Sequence, residues 1–176
     1  LKELKRFKNF SFYKVDLNNY TKSLKIFKTI LPNTIFHLAS QPGIIYSYKN
    51  RQTYKNNNIN VTKNLIDISN KIKINKFYFT SSSSVYGNKR KYPIKESFRL
   101  TPMNYYAETK KICEKLLIKK LKSDIDLKIF RPFTVYGPYS RPDMLFIKYL
   151  ESYKSKKPFI LFNNGDYIRD FTYIED

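Results

Sequence analysis

The sequence predicts an α/β fold in which a doubly wound parallel sheet is covered by helices on both faces. Three observations lead to this prediction: short apolar runs end at polar turns, amphipathic segments separate them, and the two kinds of segment alternate along the chain. The predicted strands are Phe10–Val15, Thr34–Leu38, Lys76–Ser81, Lys128–Phe133 and Phe159–Phe162.

Three amphipathic segments predict the helices. Asn19–Leu31 and Asn60–Lys73 repeat apolar residues every three or four positions, which places those side chains on one face of a helix. A third helix is predicted over Asn104–Lys122, where apolar residues recur every four positions from Cys113 onward. Stripes of this width bury a helix against a sheet.

The composition is that of a globular protein. The chain has 176 residues, of which 41% are apolar and 17% aromatic, enough for one domain with its own core. No apolar run approaches the roughly 20 residues of a membrane span, and the lysine-rich start lacks a secretory signal, so we expect a cytoplasmic protein.

The lone Cys113 excludes an internal disulfide, and the lone His37 has no acidic or cysteine partner in its motif. We therefore predict no metal site.

The net charge of +20 raises the question of whether the chain binds nucleic acid. Lysines and arginines that bind nucleic-acid phosphates usually cluster on one surface. Here the lysines are spread through every segment, among abundant Asn, Ile, Tyr and Phe, which is typical of a general compositional bias. We predict no nucleic-acid partner, although a basic surface favours the approach of a diphosphate-bearing substrate.

Two motifs carry the residue types of a redox site. The serine run Ser81–Gly87 follows a predicted strand, at the end where open α/β sheets bind ligands. Tyr106 and Lys110 lie four positions apart on the predicted third helix, and therefore on one face. The ammonium favours the phenolate and lowers the tyrosine pKa from its usual value of about 10, which makes Tyr106 a candidate proton acceptor. A serine hydroxyl would hydrogen-bond the same substrate oxygen.

Five segments resemble, in order, those of the extended short-chain dehydrogenase/reductase superfamily, in its NAD-dependent epimerase/dehydratase group. They are Phe36–Gln41, Ser81–Gly87, Tyr106–Lys110, Arg131–Pro138 followed by Arg141–Met144, and Arg169–Ile174. The last two are most similar to those of UDP-glucuronate 4-epimerases. The resemblance covers essentially the whole chain and implies a Rossmann-like sheet that lacks its first βαβ segment.

The resemblance implies an isomerase of nucleotide-sugar metabolism. Enzymes of this kind convert UDP-glucuronate to UDP-galacturonate through a transient 4-keto intermediate with bound NAD+. The family's catalytic hydroxyl residue matches Ser82, its general acid and base matches Tyr106, and the lysine that holds the nicotinamide ribose matches Lys110. The resemblance also implies a UDP-sugar substrate and a homodimer.

Binding positions follow from the same resemblance. The cofactor-binding positions, beside Tyr106 and Lys110, are Asp16, Leu17, Leu38, Ala39, Ser40 and Asn58. The substrate-binding positions are Ser84, Thr134, Arg141 and Arg169. Among these, the resemblance places Asp16 and Leu17 beside the adenine and Arg169 on the diphosphate.

Other functions stay open at this point. Within the family, the alternatives are another nucleotide-sugar epimerase, a decarboxylase or a dehydratase. Dehydratases of the group usually carry Asp-Glu after the catalytic hydroxyl residue, where this chain has Ser83 and Ser84. The alternative from a different class is a non-catalytic NAD-binding scaffold or an inactive fragment.

The chain also lacks the glycine-rich turn of a dinucleotide-binding domain. Its four glycines do not have the Gly-x-Gly-x-x-Gly spacing, and the first predicted strand resembles a third strand. We therefore expect an internal part of a longer chain, in which residues 1–137 form a partial NAD-binding domain and residues 138–176 begin a substrate-binding region. Alone, the 176 residues are expected to aggregate or stay partly unfolded and to bind NAD poorly.

Overall fold

A computed structural model describes residues 1–166, 168 and 170–176 of the chain. The chain forms two compact units, Leu1–Arg131 and Pro132–Asp176. Each unit contains its own small parallel sheet. The domain boundary expected from the sequence, after residue 137, falls inside the second unit.

The sheet of the first unit has three parallel strands. They are β1 (Thr34–His37), β2 (Lys76–Thr80) and β3 (Asp126–Phe130), in the spatial order β1-β2-β3. Ile35 lies opposite Phe77, and Phe77 lies opposite Leu127 in the next strand. The parallel α/β arrangement predicted from the alternation of segments is confirmed.

Five α-helices belong to the first unit. They are α1 (Tyr20–Ile30), α2 (Ile44–Lys49), α3 (Arg51–Tyr54), α4 (Val61–Ile72) and α5 (Tyr105–Lys120). A π-helical turn over Lys55–Asn60 joins α3 to α4, and 3-10 turns cover Leu4–Arg6 and Ser83–Tyr86. The three helices predicted from amphipathic spacing are therefore present, each within a few residues of its predicted bounds.

The ends of these helices follow from local chemistry. The side chain of Asn19 accepts a hydrogen bond from the Lys22 amide at the start of α1, and Asn104 caps α5 in the same way. Leu31 and Lys73 adopt left-handed backbone conformations immediately after α1 and α4, which ends both helices.

The core of the first unit lies between one face of the sheet and the helices α4 and α5. Alternate strand residues point to opposite faces, and Ile35, Phe77 and Phe79 all belong to the buried set. They belong to one apolar cluster with Leu65 of α4 and Leu117 of α5. This packing holds α5, and with it the Tyr106–Lys110 motif, against the sheet.

Among its described residues, the second unit contains a two-stranded parallel sheet and one α-helix. Its strands are β4 (Thr134–Tyr136) and β5 (Phe171–Tyr173), and its helix is α6 (Leu145–Ser155). A 3-10 turn covers Phe162–Gly165.

Two predicted strands are absent from the structure. Phe10–Val15 is irregular and pairs with no strand among the described residues, because an apolar run becomes a strand only where a neighbour accepts its backbone hydrogen bonds. Phe159–Phe162 also forms no strand. It leads into the turn at Asn163 and Asn164, whose φ values of 51° belong to the left-handed region and are incompatible with a strand.

One predicted strand ends earlier than expected. The run Lys128–Phe133 was expected to be continuous, but β3 ends at Phe130 and β4 starts at Thr134. Pro132 lies between them, and proline has no backbone N–H to donate to a sheet.

The second face of the three-stranded sheet carries exposed aromatic rings. Phe36 is 65% exposed and Phe130 is 50% exposed. The ring of Tyr78 lies between them, with centroids 5.0 Å from Phe36 and 6.1 Å from Phe130. A contiguous apolar surface of this kind favours association.

We therefore expect the double substitution Phe36→Thr and Phe130→Thr to increase the soluble, monomeric fraction of the 176-residue chain. Threonine keeps a high strand propensity while removing the apolar ring. Size-exclusion chromatography with light scattering measures this fraction. The matched control Phe77→Thr, on the buried face, should lower it by opening the core. An unchanged aggregate fraction in the double variant would contradict the prediction.

Candidate active site

The serine run forms a compact turn at the carboxyl end of β2. Ser82 caps the 3-10 turn: its Oγ accepts a hydrogen bond from the Ser84 amide at 3.2 Å and donates one to the Ser84 Oγ at 3.1 Å. Val85 and Tyr86 are buried and anchor the turn, whereas Ser82 and Ser84 are partly exposed. Two hydroxyl groups are thus presented side by side at the end of a parallel strand.

Gly87 lets the following loop pack tightly on this turn. Its φ of +69° lies in the left-handed region, and a Cβ at this position would lie 1.9 Å from the Thr101 carbonyl oxygen. The Thr101 hydroxyl in turn donates a hydrogen bond to the Tyr86 carbonyl at 2.8 Å. The segment before α5 is therefore tied to the end of the serine turn.

Lys110 reaches the same end of β2 from α5. Its Nζ donates a hydrogen bond to the Thr80 carbonyl at 2.8 Å and lies 4.9 Å from the centroid of the Phe79 ring. The side chain is buried, and burial lowers the pKa of its ammonium from 10.5 to about 8, although Cys113 and Glu114 act in the opposite direction. The Lys110 ammonium, whose burial is energetically costly, is therefore held at the carbonyl of Thr80, two residues before Ser82.

Tyr106 lies one helical turn before Lys110, on the same face of α5. The residue is partly exposed, and its ring centroid lies 6.3 Å from that of the buried Tyr54. The Tyr54 hydroxyl donates to the Pro42 carbonyl at 2.8 Å, which connects this aromatic pair to the segment after β1. The structure thus places Tyr106 and Lys110 on one helix face and Lys110 beside the strand that leads into the serine turn.

Sequence reasoning missed two residues next to these groups, Glu114 and Arg131. Arg131 follows β3 and forms a two-point ion pair with the Glu114 carboxylate on α5, at 2.8 and 3.0 Å. The hydrogen bonds that the Arg131 guanidinium donates to Glu114 hold its pKa above the ordinary value. A signal was present in the sequence, because Glu114 interrupts the buried apolar face of an amphipathic helix.

On the cofactor side, Asn58 braces the segment that follows β1. Its side-chain oxygen accepts a hydrogen bond from the Gln41 amide at 2.7 Å, and its Nδ2 donates to the Gln41 carbonyl at 3.3 Å and to the Thr109 hydroxyl at 2.9 Å. Asn58 lies in the π-helical turn, a feature frequent at functional sites. It therefore links α5 to the loop that begins with Leu38, Ala39 and Ser40.

His37, at the end of β1, is neutral and buried. Its Nε2 lies 3.0 Å from the Thr62 hydroxyl, and Nδ1 has no hydrogen-bond partner among the described residues. Burial, with a smaller contribution from the charge of Lys110, lowers the pKa of His37 from 6.5 to about 3. His37 therefore packs and hydrogen-bonds near the end of the strand.

Asp16 lines a polar cleft of about 560 Å³. Its carboxylate accepts a hydrogen bond from the Asn18 amide at 2.9 Å, and Asn64 donates to the Leu17 carbonyl at 2.8 Å. The other residues that line the cleft are Asn18, Asn56, Asn57, Asn60, Lys63 and Asn64. Amide groups and one carboxylate can recognise the donor and acceptor edge of a purine.

The second unit holds Thr134, at the start of β4, and Arg141. The exposed Arg141 guanidinium forms a two-point ion pair with Asp143, with both distances 2.8 Å, and this pair lowers the pKa of Asp143. The remaining predicted substrate residue, Arg169, lies outside the described residues.

Within the described part of the chain, no group of three or more His, Cys, Asp or Glu side chains could hold a metal ion. Among the same residues, no helix is both long and apolar enough to cross a bilayer.

The family model for the NAD-dependent epimerase/dehydratase family matches residues 1–176. The chain belongs to this family. It is 36% identical to a UDP-glucuronate 4-epimerase of Thermodesulfobacterium geofontis over 178 aligned residues, covering 100% of this chain and 55% of that protein. It is also 37% identical to UDP-glucuronate 4-epimerase 1 of Arabidopsis thaliana over 168 residues, covering 92% of this chain and 39% of that protein.

A solved structure from the same family is also similar to this chain. The crystal structure of UDP-glucuronic acid 4-epimerase from Bacillus cereus, in complex with UDP-glucuronic acid and NAD, superimposes with a TM-score of 0.91 at 37% identity. The match covers 99% of this chain and 55% of that structure. The chain therefore spans about half the length of the relatives it matches, and its fold is that of the Rossmann-type members of the family.

The burial of Lys110 leads to a prediction about stability. Because the folded state binds the Lys110 proton more weakly than the unfolded state does, the fold gains stability as pH rises from about 8 to 10.5. Lys110→Met removes this penalty, which is on the order of 3 kcal/mol, so it should raise the free energy of unfolding at neutral pH and lose this advantage near pH 10.5. Urea titrations across this pH range measure the effect.

The matched control is Lys115→Met, at an exposed position of the same helix, for which we expect a change within about 0.5 kcal/mol at every pH. A Lys110→Met chain that is less stable than the parent chain at neutral pH would contradict the prediction.

Proposed function

We propose that the protein containing this chain is a nucleotide-sugar 4-epimerase that interconverts UDP-glucuronate and UDP-galacturonate with bound NAD. The observation that carries the proposal is the buried Lys110 ammonium, one helical turn after Tyr106, hydrogen-bonded at the strand end that leads into Ser82. The relatives named UDP-glucuronate 4-epimerase support the choice of sugar.

The residues present fit NAD. One of the three N–H donors of Lys110 is used by Thr80, which leaves donors for the hydroxyls of a ribose. The backbone of Leu38, Ala39 and Ser40 would lie along the cofactor, in a loop that Asn58 braces through Gln41. The side chain of Asn58 therefore acts on the cofactor side through this loop.

The adenine end of the cofactor fits the cleft beside Asp16 and Leu17. The Asp16 carboxylate can accept a hydrogen bond from an exocyclic amino group, and the asparagine amides that line the cleft offer both donors and acceptors. When bound, NAD supplies the acceptor and later the donor of the hydride at C4 of the sugar.

In this mechanism Tyr106 accepts the proton of the 4-hydroxyl group as the hydride leaves C4, which gives a 4-keto sugar. The positive charge of Lys110 favours the phenolate form that the proton transfer requires. Ser82 donates a hydrogen bond to O4, where negative charge develops, and Ser84 offers a second hydroxyl beside it. The 4-keto ring would then turn over, the hydride would return to the opposite face of C4, and Tyr106 would return its proton to O4, so C4 would be inverted without net oxidation.

A 4-keto uronate loses CO2 readily, so the enzyme has to restrain the substrate carboxylate. Thr134 and Arg141 are the proposed restraints, and Arg169 is the proposed contact of the UDP diphosphate. The ion pair of Arg141 with Asp143 is exposed, and exposed pairs are worth only about 0–1 kcal/mol. An anionic ligand can therefore replace Asp143 at little cost.

The proposal includes a cytoplasmic homodimer without a nucleic-acid partner. The chain's net charge of +20 would attract the anionic UDP-sugar over a long range. Gel filtration of the product of the complete gene, with and without DNA, addresses the oligomeric state and the nucleic-acid partner.

The function is tested by incubating the product of the complete gene with UDP-glucuronate, without added NAD, and following UDP-galacturonate by chromatography. Tyr106→Phe should lower kcat by about 10²- to 10⁴-fold, because the proton acceptor is lost, and Ser82→Ala by about 10²-fold or more. The matched control Tyr105→Phe, at the neighbouring position of α5, should keep the parent rate.

Formation of a different product would contradict the proposed epimerase activity and would assign another activity to the protein. A 4-keto-6-deoxy sugar would identify a dehydratase, and a UDP-pentose formed as the main product would identify a decarboxylase. Absence of both bound NAD and sugar conversion would indicate the scaffold alternative.

A second prediction concerns the restraint of the carboxylate. Arg141→Ala should increase the share of UDP-pentose among the products, because the 4-keto uronate would then reach the geometry in which CO2 leaves. Quantitative chromatography of UDP-galacturonate and UDP-pentose measures the ratio. The control Lys154→Ala removes an exposed cation from α6 in the same unit and should leave the ratio unchanged. An unchanged ratio in Arg141→Ala would exclude the proposed role.

A further inference from the structure

The Glu114 carboxylate has no task in the proposed chemistry, yet it is only 1% exposed. It lies on α5, one helical turn after Lys110 and two turns after Tyr106. Carboxylates are almost never fully buried without a partner, because leaving water is costly for the charged form. The partners of Glu114 are therefore informative about its role.

Both oxygens of Glu114 are used. Oε1 accepts a hydrogen bond from the Ser81 hydroxyl at 2.5 Å and one from Arg131 Nε at 3.0 Å, and Oε2 accepts one from Arg131 Nη2 at 2.8 Å. The two-point arrangement with arginine fixes orientation as well as distance. Glu114 thus ties α5 to the residue that precedes Ser82 and to the residue that follows β3.

Arg131 extends the connection to the other end of the serine turn. Its Nη1 donates to the Tyr86 hydroxyl at 3.1 Å and to the Glu96 carbonyl at 3.0 Å. Its guanidinium also lies 5.1 Å from the centroid of the Tyr86 ring. Ser81 and Tyr86, which flank Ser82–Ser84, are therefore both held by one ion pair, in which Glu114 is buried and Arg131 is partly exposed.

We infer that Glu114 and Arg131 are positioning residues, which hold the Ser82–Ser84 turn at a set distance from the helix face that carries Tyr106 and Lys110. The inference rests on the proposed function, since the two groups so positioned are the proposed proton acceptor and hydrogen-bond donor. A displacement of reacting groups by about 1 Å can cost about 100-fold in rate, so a rigid connection between the two is valuable for catalysis.

A purely structural role would need no charges. Replacing a buried ion pair by apolar residues of similar volume is often neutral or stabilising, because the desolvation of both charges is avoided. The other residues that this ion pair contacts indicate a positioning role instead. Besides each other, Glu114 and Arg131 contact Ser81, Tyr86 and the Glu96 carbonyl, all of which lie in the serine turn or the segment between it and α5.

The kinetic test uses three variants of the product of the complete gene. Glu114→Gln and Arg131→Lys each remove the two-point pair, and the double variant Glu114→Leu with Arg131→Met removes both charges while filling the space. We expect kcat for UDP-glucuronate epimerisation to fall by about 100-fold, with KM and the amount of bound NAD within about threefold of the parent. The control Asp124→Asn, an exposed carboxylate after α5, should leave kcat unchanged.

A second measurement does not depend on activity. The amides of Ser84, Val85 and Gly87 donate hydrogen bonds within the serine turn. Their hydrogen exchange should become about tenfold faster or more in Glu114→Gln, while the amides of β2 exchange as in the parent protein. A turn held by other contacts would keep its exchange rates.

The outcomes separate the two proposals. If the parent protein shows no epimerase activity, the proposed function fails, and hydrogen exchange still decides whether the pair holds the turn. If the parent is active and the double variant keeps kcat within about threefold, the positioning role is wrong. Loss of folding in all three variants would assign the pair a structural role and would also overturn the inference.

Discussion

The face of α5 that turns to the end of the sheet carries three polar groups in succession, Tyr106, Lys110 and Glu114, on a helix that also packs against an apolar core. Each group that is buried there requires a partner, since an unmatched charge or hydrogen-bond donor in the interior is costly. Lys110 finds the Thr80 carbonyl, and Glu114 finds Ser81 and Arg131. The requirement for partners fixes the ends of β2 and β3 relative to the helix.

A similar principle operates on the other side of the sheet end. The π-helical turn before α4 contains Asn58, whose amide satisfies the backbone of Gln41 and the hydroxyl of Thr109. Its carbonyl oxygen accepts hydrogen bonds from Thr62 and from the lone Cys113. The thiol thus packs inside the unit and contributes one weak hydrogen bond. The loop after β1 and the helix α5 are therefore joined through one buried side chain.

Much of the fold could be read from local patterns. The strands Thr34–His37 and Lys76–Thr80 and the helices α1, α4 and α5 were predicted because their apolar spacing matches the geometry of the element. Helices α2, α3 and α6 were missed. Two of these are short, whereas α6 was missed although its two faces contrast more strongly than those of α5. The run at Phe10–Val15 has the composition of a strand, but strand formation depends on a neighbour, which composition does not reveal.

The candidate site likewise has features that local sequence predicts and features that depend on tertiary packing. Local sequence determined that Tyr106 and Lys110 share a helix face and that hydroxyl groups follow β2, because both depend on spacing along one element. Only the tertiary structure decided that Arg131 pairs with Glu114, that Asn58 reaches Gln41, and that Lys110 donates to Thr80. These contacts join positions 17 to 30 residues apart, and a pair of compatible side chains in a lysine- and asparagine-rich chain has many possible partners. Packing of the helices on the sheet selects one partner for each side chain from the many that are possible. Because this selection depends on tertiary packing, the sequence alone could not identify these contacts.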